Sequence, residues 1–437
     1  ENNYFGFGTD RELELTPSFL IIKQSTFPHR GHPHAEGSLF PVPCGKVMGG
    51  PRGRDKAFRP SSIVNLSAMS YGSLSGPAVR AINMGCRLAG SLHNTGEGGI
   101  APHHDQGGGL IWQLGTGYFG ARDSQGRLDM ERLVDTASQH QVRAIEIKLS
   151  QGAKPGKGGV LPAAKVSPEI AAIRGIPVGQ TCLSPAWHTA FSSADEMLDV
   201  VEEIAQRTGL PVGIKSAVGQ LDFWEELARL MESGARGVDY IQIDGGEGGT
   251  GAAPLVFSDH VSLPFKLGMA RVFPLFAARG LDHRIVWTGS GRLGFPAEAV
   301  TAMALGCDTI SVAREAMLSI GCIQAQRCHT GHCPTGVATQ NRWLIRGLDP
   351  TLKGARLANY LATLRHDMLD LSLACGLPHP AGLTLDHLEI VDDRFGSRGA
   401  RDVFGYEPGW GQPSAEDTAA IFEIMGAGAP EPPGFRG

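Results

Sequence analysis

Eight short runs of β-branched or apolar residues, each followed by a glycine-rich or polar loop and then a helical pattern, limit the folds open to this chain. The runs fall at 63–69, 91–95, 144–149, 178–183, 211–217, 240–244, 284–288 and 309–313. Between them, 194–208, 221–233 and 296–305 carry apolar residues at helical spacing. Ser193 or Asp195 can cap the first of these helices, and Gly209 with Pro211 ends it. Gly234 and Gly306 end the other two. Eight strand–helix units over about 280 residues predict an α/β chain folded as a (β/α)8 TIM barrel, which an open doubly wound sheet would rarely need. In such a barrel the chemistry sits on the loops that follow the strands.

The remainder divides around that barrel. Residues 1–60 read as an irregular extension packing across one end, and 61–345 as the barrel. Residues 346–437 read as a helical C-terminal extension, with 353–375 as a helix pair and a mobile tail from Pro430. The stretch 101–127 reads as a long lid or wall loop. The 60 glycines are about 14% of the 437 residues, twice the usual share, and they cluster in short loops where backbone can approach a ligand. A net charge of −5 argues against binding nucleic acid by phosphate neutralisation. No run of 18 apolar residues is present to span a membrane. The chain starts at Glu1, so a removed N-terminal anchor stays open.

Three constellations carry chemistry. Cys322, Cys328 and Cys333 form C-x5-C-x4-C followed by Pro334. Eight cysteines in this length are too few for a disulfide scaffold, whereas three thiols this close suit a soft metal. From spacing alone an iron–sulfur cluster and zinc stand level, with His329 or His332 as a fourth zinc ligand. Asp244, Gly245 and the run through Gly249, Thr250 and Gly251 make one glycine loop, and Gly289, Ser290, Gly291 and Arg292 make a second. With Arg314 they suit a phosphate, which consecutive backbone N–H groups hold well. Lys148 and Lys215 each end an apolar run, where an ammonium is costly unless paired or facing a ligand. After Lys148, the glycine-rich loop with Gln151, Lys154 and Lys157 suits a small anion. Glu97 lies in TGEGG, where it can orient or protonate a substrate or simply pair with a lysine. His103, His104, Asp105 and His188 show no metal spacing and read as loop residues.

Five stretches, in order, resemble the flavin-binding synthase domain of glutamate synthases, particularly the short stand-alone glutamate-synthase-like proteins. They are SAMSYGSLS (67–75), NTGEGG (94–99), IKLSQGAKPGKGG (147–159), GGEGGTGAAPL (245–255) and CIQAQRCHTGHCPTGVATQ (322–340). The resemblance implies a (β/α)8 barrel holding FMN and a [3Fe–4S] cluster, with Cys322, Cys328 and Cys333 as the cluster ligands. It implies that Ala68, Met69 and Ser70 line the flavin ring and that Lys215 lies near it. The two glycine loops, Ala313, Arg292 and Arg314 would hold the flavin phosphate. Lys148, Glu97, Gln151, Lys154 and Arg174 would surround a 2-oxo acid or imine such as 2-iminoglutarate.

The implied activity is hydride transfer between reduced FMN and that imine, in the class acting on CH–NH2 donors. Electrons would come from ferredoxin or an NAD(P)H-oxidising subunit, and homo-oligomerisation stays open. The implied setting is a reducing compartment such as the cytoplasm. An alternative is a flavin and iron–sulfur electron-transfer subunit without turnover of its own. A flavin-free, phosphate-binding barrel is a more distant one. The departures from the family pattern fall on the substrate side: Lys157 stands where the synthases have Glu, Val160 where they have Gln, and Ser184-Pro-Ala-Trp-His188 where they have PPPHHD. Residues 1–60 are too short for the amidotransferase domain that those enzymes carry.

Overall fold

The computed structural model describes residues 18–30, 41–248, 253–257, 260–392 and 396–426. Eight parallel strands close on one another in chain order. They are β1 (Val64–Leu66), β2 (His93–Asn94), β3 (Leu110–Leu114), β4 (Val142–Lys148), β5 (Val212–Ser216), β6 (Tyr240–Asp244), β7 (Val286–Ser290) and β8 (Thr309–Val312). β8 pairs with β1 through Ile310↔Val64, which completes the TIM barrel. The strands β3, β5, β6 and β7 are buried along their whole length, as parallel strands covered on both faces must be.

The barrel and its count of eight agree with the sequence reading, but one member differs. Residues 178–183 contribute only Cys182–Leu183, an antiparallel hairpin strand with Val160–Leu161 that stands outside the barrel. The missing strand is β3, inside the stretch read as a lid. LIWQL is too short for its period to show, and Gly107–Gly109 and Gly115 around it look like loop. β7 also runs two residues further than its apolar run, so Gly289 and Ser290 end the strand and do not begin the loop.

Helices α1 (Gly76–Ala89), α2 (Met130–Gln139), α3 (Pro168–Arg174), α4 (Ala194–Thr208), α5 (Asp222–Met231), α6 (Phe265–Ala277), α7 (Pro296–Ala304) and α8 (Arg314–Ser319) follow along the chain. In α4 the Ser193 hydroxyl accepts from the Glu196 amide at 3.2 Å, and Asp195 and Glu196 favour the positive helix end. Met197, Leu198, Val201, Ile204 and Ala205 face the core, and Gly209 ends the helix at φ 71°. After the barrel comes a single 25-residue helix, α9 (Pro350–Ala374), where a helix pair was expected. Gly354 does not break it, because it lies against Gly85 of α1. A Cβ on Gly85 would stand 2.9 Å from the Gly354 carbonyl oxygen, so the two glycines let the helices close on one another.

The far end of the barrel is sealed by residues 41–60. Cys44, Met48 and Phe58 cover Leu92, Ile111, Ala144, Tyr240 and Val286. Lys46 pairs with Asp308 at 3.0 Å, and Arg54 pairs with Asp239 at 3.0 Å and with Glu202 at 2.7 Å. Phe19–Ile22 pairs antiparallel with Leu388–Val391, which in turn pairs with Ser397–Gly399. Residues 1–17 and the tail from Pro430 lie outside the described residues. Among the described residues, no helix is long and apolar enough to cross a membrane.

Candidate functional site

At the C-terminal mouth of the barrel a cavity of about 350 Å³ opens between the loops after β1, β2, β4, β7 and β8. Ala68, Met69, Ser70, Glu97, Lys148, Gln151, Lys154, Lys215, Asp244, Ser290, Gly291, Arg292, Ala313, Arg314 and Cys328 all line it. Residues scattered over more than 250 positions thus meet because the strand ends of a closed barrel converge.

The charged groups at the ends of β2, β4, β5 and β6 are held. Lys148 Nζ lies 3.2 Å from Glu97 and donates to the Gln151 amide oxygen at 3.1 Å. Burial works to raise the Glu97 carboxyl, but Lys148, Lys154 and Arg174 outweigh it and hold the group below its ordinary value of 4.5. Lys154 donates to the Gly158 carbonyl at 3.0 Å, and burial pulls its ammonium down. Lys215 lies 3.4 Å from Asp244, whose carboxylate also accepts the Gly152 N–H at 2.9 Å. Two lysines that are costly inside strands are therefore both ion-paired and both face the cavity.

Because the Glu97 value is depressed on folding, the unfolded chain takes up that proton first as pH falls. The pair's stabilising contribution is present above the ordinary carboxylate value and is lost as pH falls through the folded one. The stability difference between wild type and Glu97→Gln is thus expected to shrink on going from pH ~6 to pH ~3.5. Thermal melts across that range check this. A difference that ignores pH would mean that Glu97 is not held ionised.

Glycines bring the loops close. Gly96 has φ +66°, and a Cβ there would stand 2.6 Å from the Ser70 amide nitrogen, so only glycine lets the β2 loop lie against the Ala68–Ser70 backbone. Gly291 has φ +144°, and its Cβ would meet Phe265 at 2.9 Å. Next to it Arg292 is held at φ +55°, an uncommon conformation for a residue with a side chain.

The barrel interior beneath the cavity is polar. Glu146 is fully buried and accepts from Asn94 at 2.8 Å and from Gln113 at 2.6 Å, while its Oε2 has no protein partner. Burial pushes its carboxyl up, and Lys215 opposes this. Gln242 accepts from Ser311 at 3.3 Å, and its buried Nε2 also has no partner. Gln113, Ser311, Ser67 and Lys165 line the cavity and escaped the sequence reading. The signal that could have found Gln113, Glu146 and Gln242 is one polar residue inside each of LIWQL, AIEIK and YIQID.

Some expected residues stand back from the cavity. Arg174 ends α3, is buried, and donates to the Tyr71 carbonyl at 3.2 Å, with its guanidinium 5.1 Å from the Phe119 ring centre. Gly245 and Gly289 lie under the wall, where Phe265 fills the space that their side chains would need. Gly249, Thr250 and Gly251 lie outside the described residues. Of the loop histidines, His188 bridges the Lys148 carbonyl and the Tyr118 hydroxyl, each at 2.9 Å, and so braces the end of β4. His103 lies 3.3 Å from Glu169, and Asp105 lies 2.8 Å from His140.

Cys322, Cys328 and Cys333 sit on the loop after α8 as free thiols. Burial raises the Cys328 thiol, and Cys333 and Cys322 push it further in the same direction, so the three are electrostatic neighbours. Among the described residues no three His, Cys, Asp or Glu side chains converge as a metal site. Lys165 joins this loop to the cavity, donating to the carbonyls of Cys328, Ala338 and Ser73 at 2.6, 3.1 and 3.2 Å.

Known proteins share both the sequence and the architecture. A flavocytochrome b2 variant with sulfite bound superposes with a TM-score of 0.52 at 14% identity, covering 86% of this chain and 77% of that one, a likeness of fold alone. The glutamate synthase large subunit-like protein YerD of Bacillus subtilis is 39% identical over 336 residues, 76% of this chain and 64% of YerD. The archaeal-type glutamate synthase [NADPH] of Thermotoga maritima is 35% identical over 318 residues, 72% of this chain and 59% of that protein. The chain therefore spans about 60% of the length of these relatives. Residues 53–377 match the conserved region in glutamate synthase, the stretch that holds every strand of the barrel and every residue lining its cavity, and the chain belongs to the glutamate synthase family.

Proposed function

We propose that the barrel binds FMN and an α-imino or 2-oxo acid of the 2-iminoglutarate type, and that it is an oxidoreductase acting at the carbon–nitrogen bond. The observation that carries the reading is the cavity itself, where two ion-paired lysines meet a glycine-shaped backbone shelf above a buried polar floor. A flavin fits what the residues offer. Gln242 Nε2 and Glu146 Oε2 are buried polar atoms without protein partners, and such atoms are costly unless a ligand or water meets them. The Ala68–Ser70 backbone, open because residue 96 is glycine, would carry the ring. Gly291, Arg292, Ala313 and Arg314 would hold the phosphate, at the usual phosphate position of such barrels.

When bound, FMN supplies the hydride. This chain's residues do the rest. Lys154 holds the substrate carboxylate, and Gln151 and Glu97 fix the Lys148 ammonium, which keeps one N–H for the substrate. Glu97 stays ionised near neutral pH and orients, while the proton for the substrate nitrogen is held at Lys148 Nζ. Lys215 and Asp244 set the charge beside the flavin.

Cys322, Cys328 and Cys333 would hold an iron–sulfur cluster of the [3Fe–4S] type. The reading rests on three soft thiols in one loop, near enough to perturb one another, beside a buried ammonium. Electrons would enter from a ferredoxin or an NAD(P)H-oxidising subunit.

The test is the visible spectrum of anaerobically purified protein, with flavin and iron assays on the same sample. About one FMN and about three irons per chain are expected. A colourless protein would defeat the redox reading. Cys328→Ser should remove the iron and leave the FMN. Unchanged iron content would show that these cysteines are not the ligands.

A further inference from the structure

We propose that Lys165 is the counter-charge for an anionic metal group on Cys322, Cys328 and Cys333, and that this one ammonium tunes the group's reduction from a place between the cysteine loop and the Ala68–Ser70 shelf. The inference rests on the function proposed above and adds a residue to it. Lys165 ends a short turn, Ala163–Lys165, and is 4% exposed. An ammonium has three N–H groups, and all three of this one go to main-chain carbonyls, of Cys328 at 2.6 Å, Ala338 at 3.1 Å and Ser73 at 3.2 Å. The donors are satisfied, but the charge is not. Carbonyl dipoles solvate a cation without cancelling it, and a buried unit charge is costly without an opposite one. Lys46, Lys148 and Lys215 each have a carboxylate within 3.4 Å, from Asp308, Glu97 and Asp244. Among the described residues Lys165 has no such partner, and the side chains that act on its charge are the Cys328 and Cys333 thiols. Glu315, the third carboxylate lining the cavity, lies against Gly294.

This placement has a chemical reason. Three thiolates bring three negative charges to one loop, and a metal group held by them stays anionic, more so after it takes up an electron. A cation fixed beside that group favours its reduced form, and gains a partner only while the metal is bound. The same ammonium ties the loop to the flavin side of the cavity. Ser73, whose carbonyl it holds, donates through its own hydroxyl to the Ser70 carbonyl at 2.7 Å, and Ser70 belongs to the shelf. Lys165 thus reaches both proposed redox sites through hydrogen bonds to their backbone.

The test is a double-mutant cycle on the full chain, purified anaerobically, with thermal melts and with iron and flavin assays on every sample. The four proteins are wild type, Lys165→Gln, Cys328→Ser and the double variant. Glutamine keeps N–H donors for the carbonyls and removes the charge. Lys165→Gln is expected to lower the melting temperature in the wild-type background. In the iron-free Cys328→Ser background it should leave the melting temperature unchanged or raise it, because there the ammonium has nothing to neutralise. An equal loss in both backgrounds would reduce Lys165 to a clamp on three carbonyls and overturn the proposal. A dithionite titration followed by electron paramagnetic resonance should show the cluster of Lys165→Gln harder to reduce. Its oxidised-to-reduced ratio at a fixed potential should rise at least about tenfold, with Lys165→Arg close to wild type. Iron lost from Lys165→Gln but kept in Lys165→Arg would give the same answer, whereas an unchanged ratio would overturn the proposal. Wild type without iron would defeat the function proposed above and this inference with it. Iron in place with no coupling in the cycle would defeat this inference alone.

Discussion

Replacing Lys148 by alanine is expected to slow oxidation of the reduced flavin by a 2-oxo acid with ammonium by about 10²–10⁴-fold, the usual worth of a positioned proton donor. The flavin should remain bound, because the shelf at Ala68–Ser70 and the loops after β7 and β8 do not rest on this side chain. Stability should fall as well. Glu97 packs between Gly115 and Gly159, where an added Cβ would come within 2.5 Å of its carboxylate oxygens, so it loses its partner in a confined place. Loss of the partner of a partly buried charge costs about 1–3 kcal/mol. Lys148→Arg separates the two effects, since it restores the charge beside Glu97 and removes the ammonium. Stability regained without the rate would identify the ammonium as the proton donor. Rapid mixing under anaerobic conditions measures the rate, and an unchanged rate in the alanine variant would remove Lys148 from the chemistry.

Gly96→Ala should damage flavin binding without touching any side chain of the site. The new Cβ would stand 2.6 Å from the Ser70 nitrogen and 2.9 Å from the Met69 carbonyl carbon, both backbone atoms that can move only by shifting the shelf. The left-handed φ adds about 1–3 kcal/mol of strain on its own. Gly90→Ala is the control, with φ +69° and no atom nearer than 3.6 Å to the added Cβ. Both variants should lose thermal stability, but only the first should lose flavin, by about ten- to a hundredfold in affinity. Flavin fluorescence during dialysis reads the difference. Equal retention in the two variants would mean that the Ala68–Ser70 backbone does not carry the ring.

Barrel and site were legible to different degrees, for reasons that lie in particular residues. Helix α4 declares itself through Ser193, its buried stripe and Gly209, all of which act within the segment. Lys148 and Lys215 stand out because a charge within an apolar run demands a partner, although which carboxylate serves each could not be read. Glu97 is 51 positions from Lys148 and Asp244 is 29 from Lys215, and only the closed strand order brings them within 3.2 and 3.4 Å. β3 was missed because its five buried residues lie between glycine loops, and its partners β2 and β4 are what make it a strand. The stretch 178–183 misled for the opposite reason, since a short apolar run can as well cover a hairpin outside the barrel.

Arg174 shows what the sequence leaves open about a side chain's placement. Its guanidinium donates to the Tyr71 carbonyl from behind the wall while still acting on the Glu97 carboxylate, and Lys165 stands on the cavity side. By itself the sequence determined the repeating strand–loop–helix unit, the glycines at the close approaches and the residues able to carry charge or bind metal, because backbone preference and ionisation belong to single residues and short segments. Tertiary structure alone decided which run became the third strand and which lysine met which carboxylate. Those outcomes depend on distances across a closed barrel, and no local interaction encodes them.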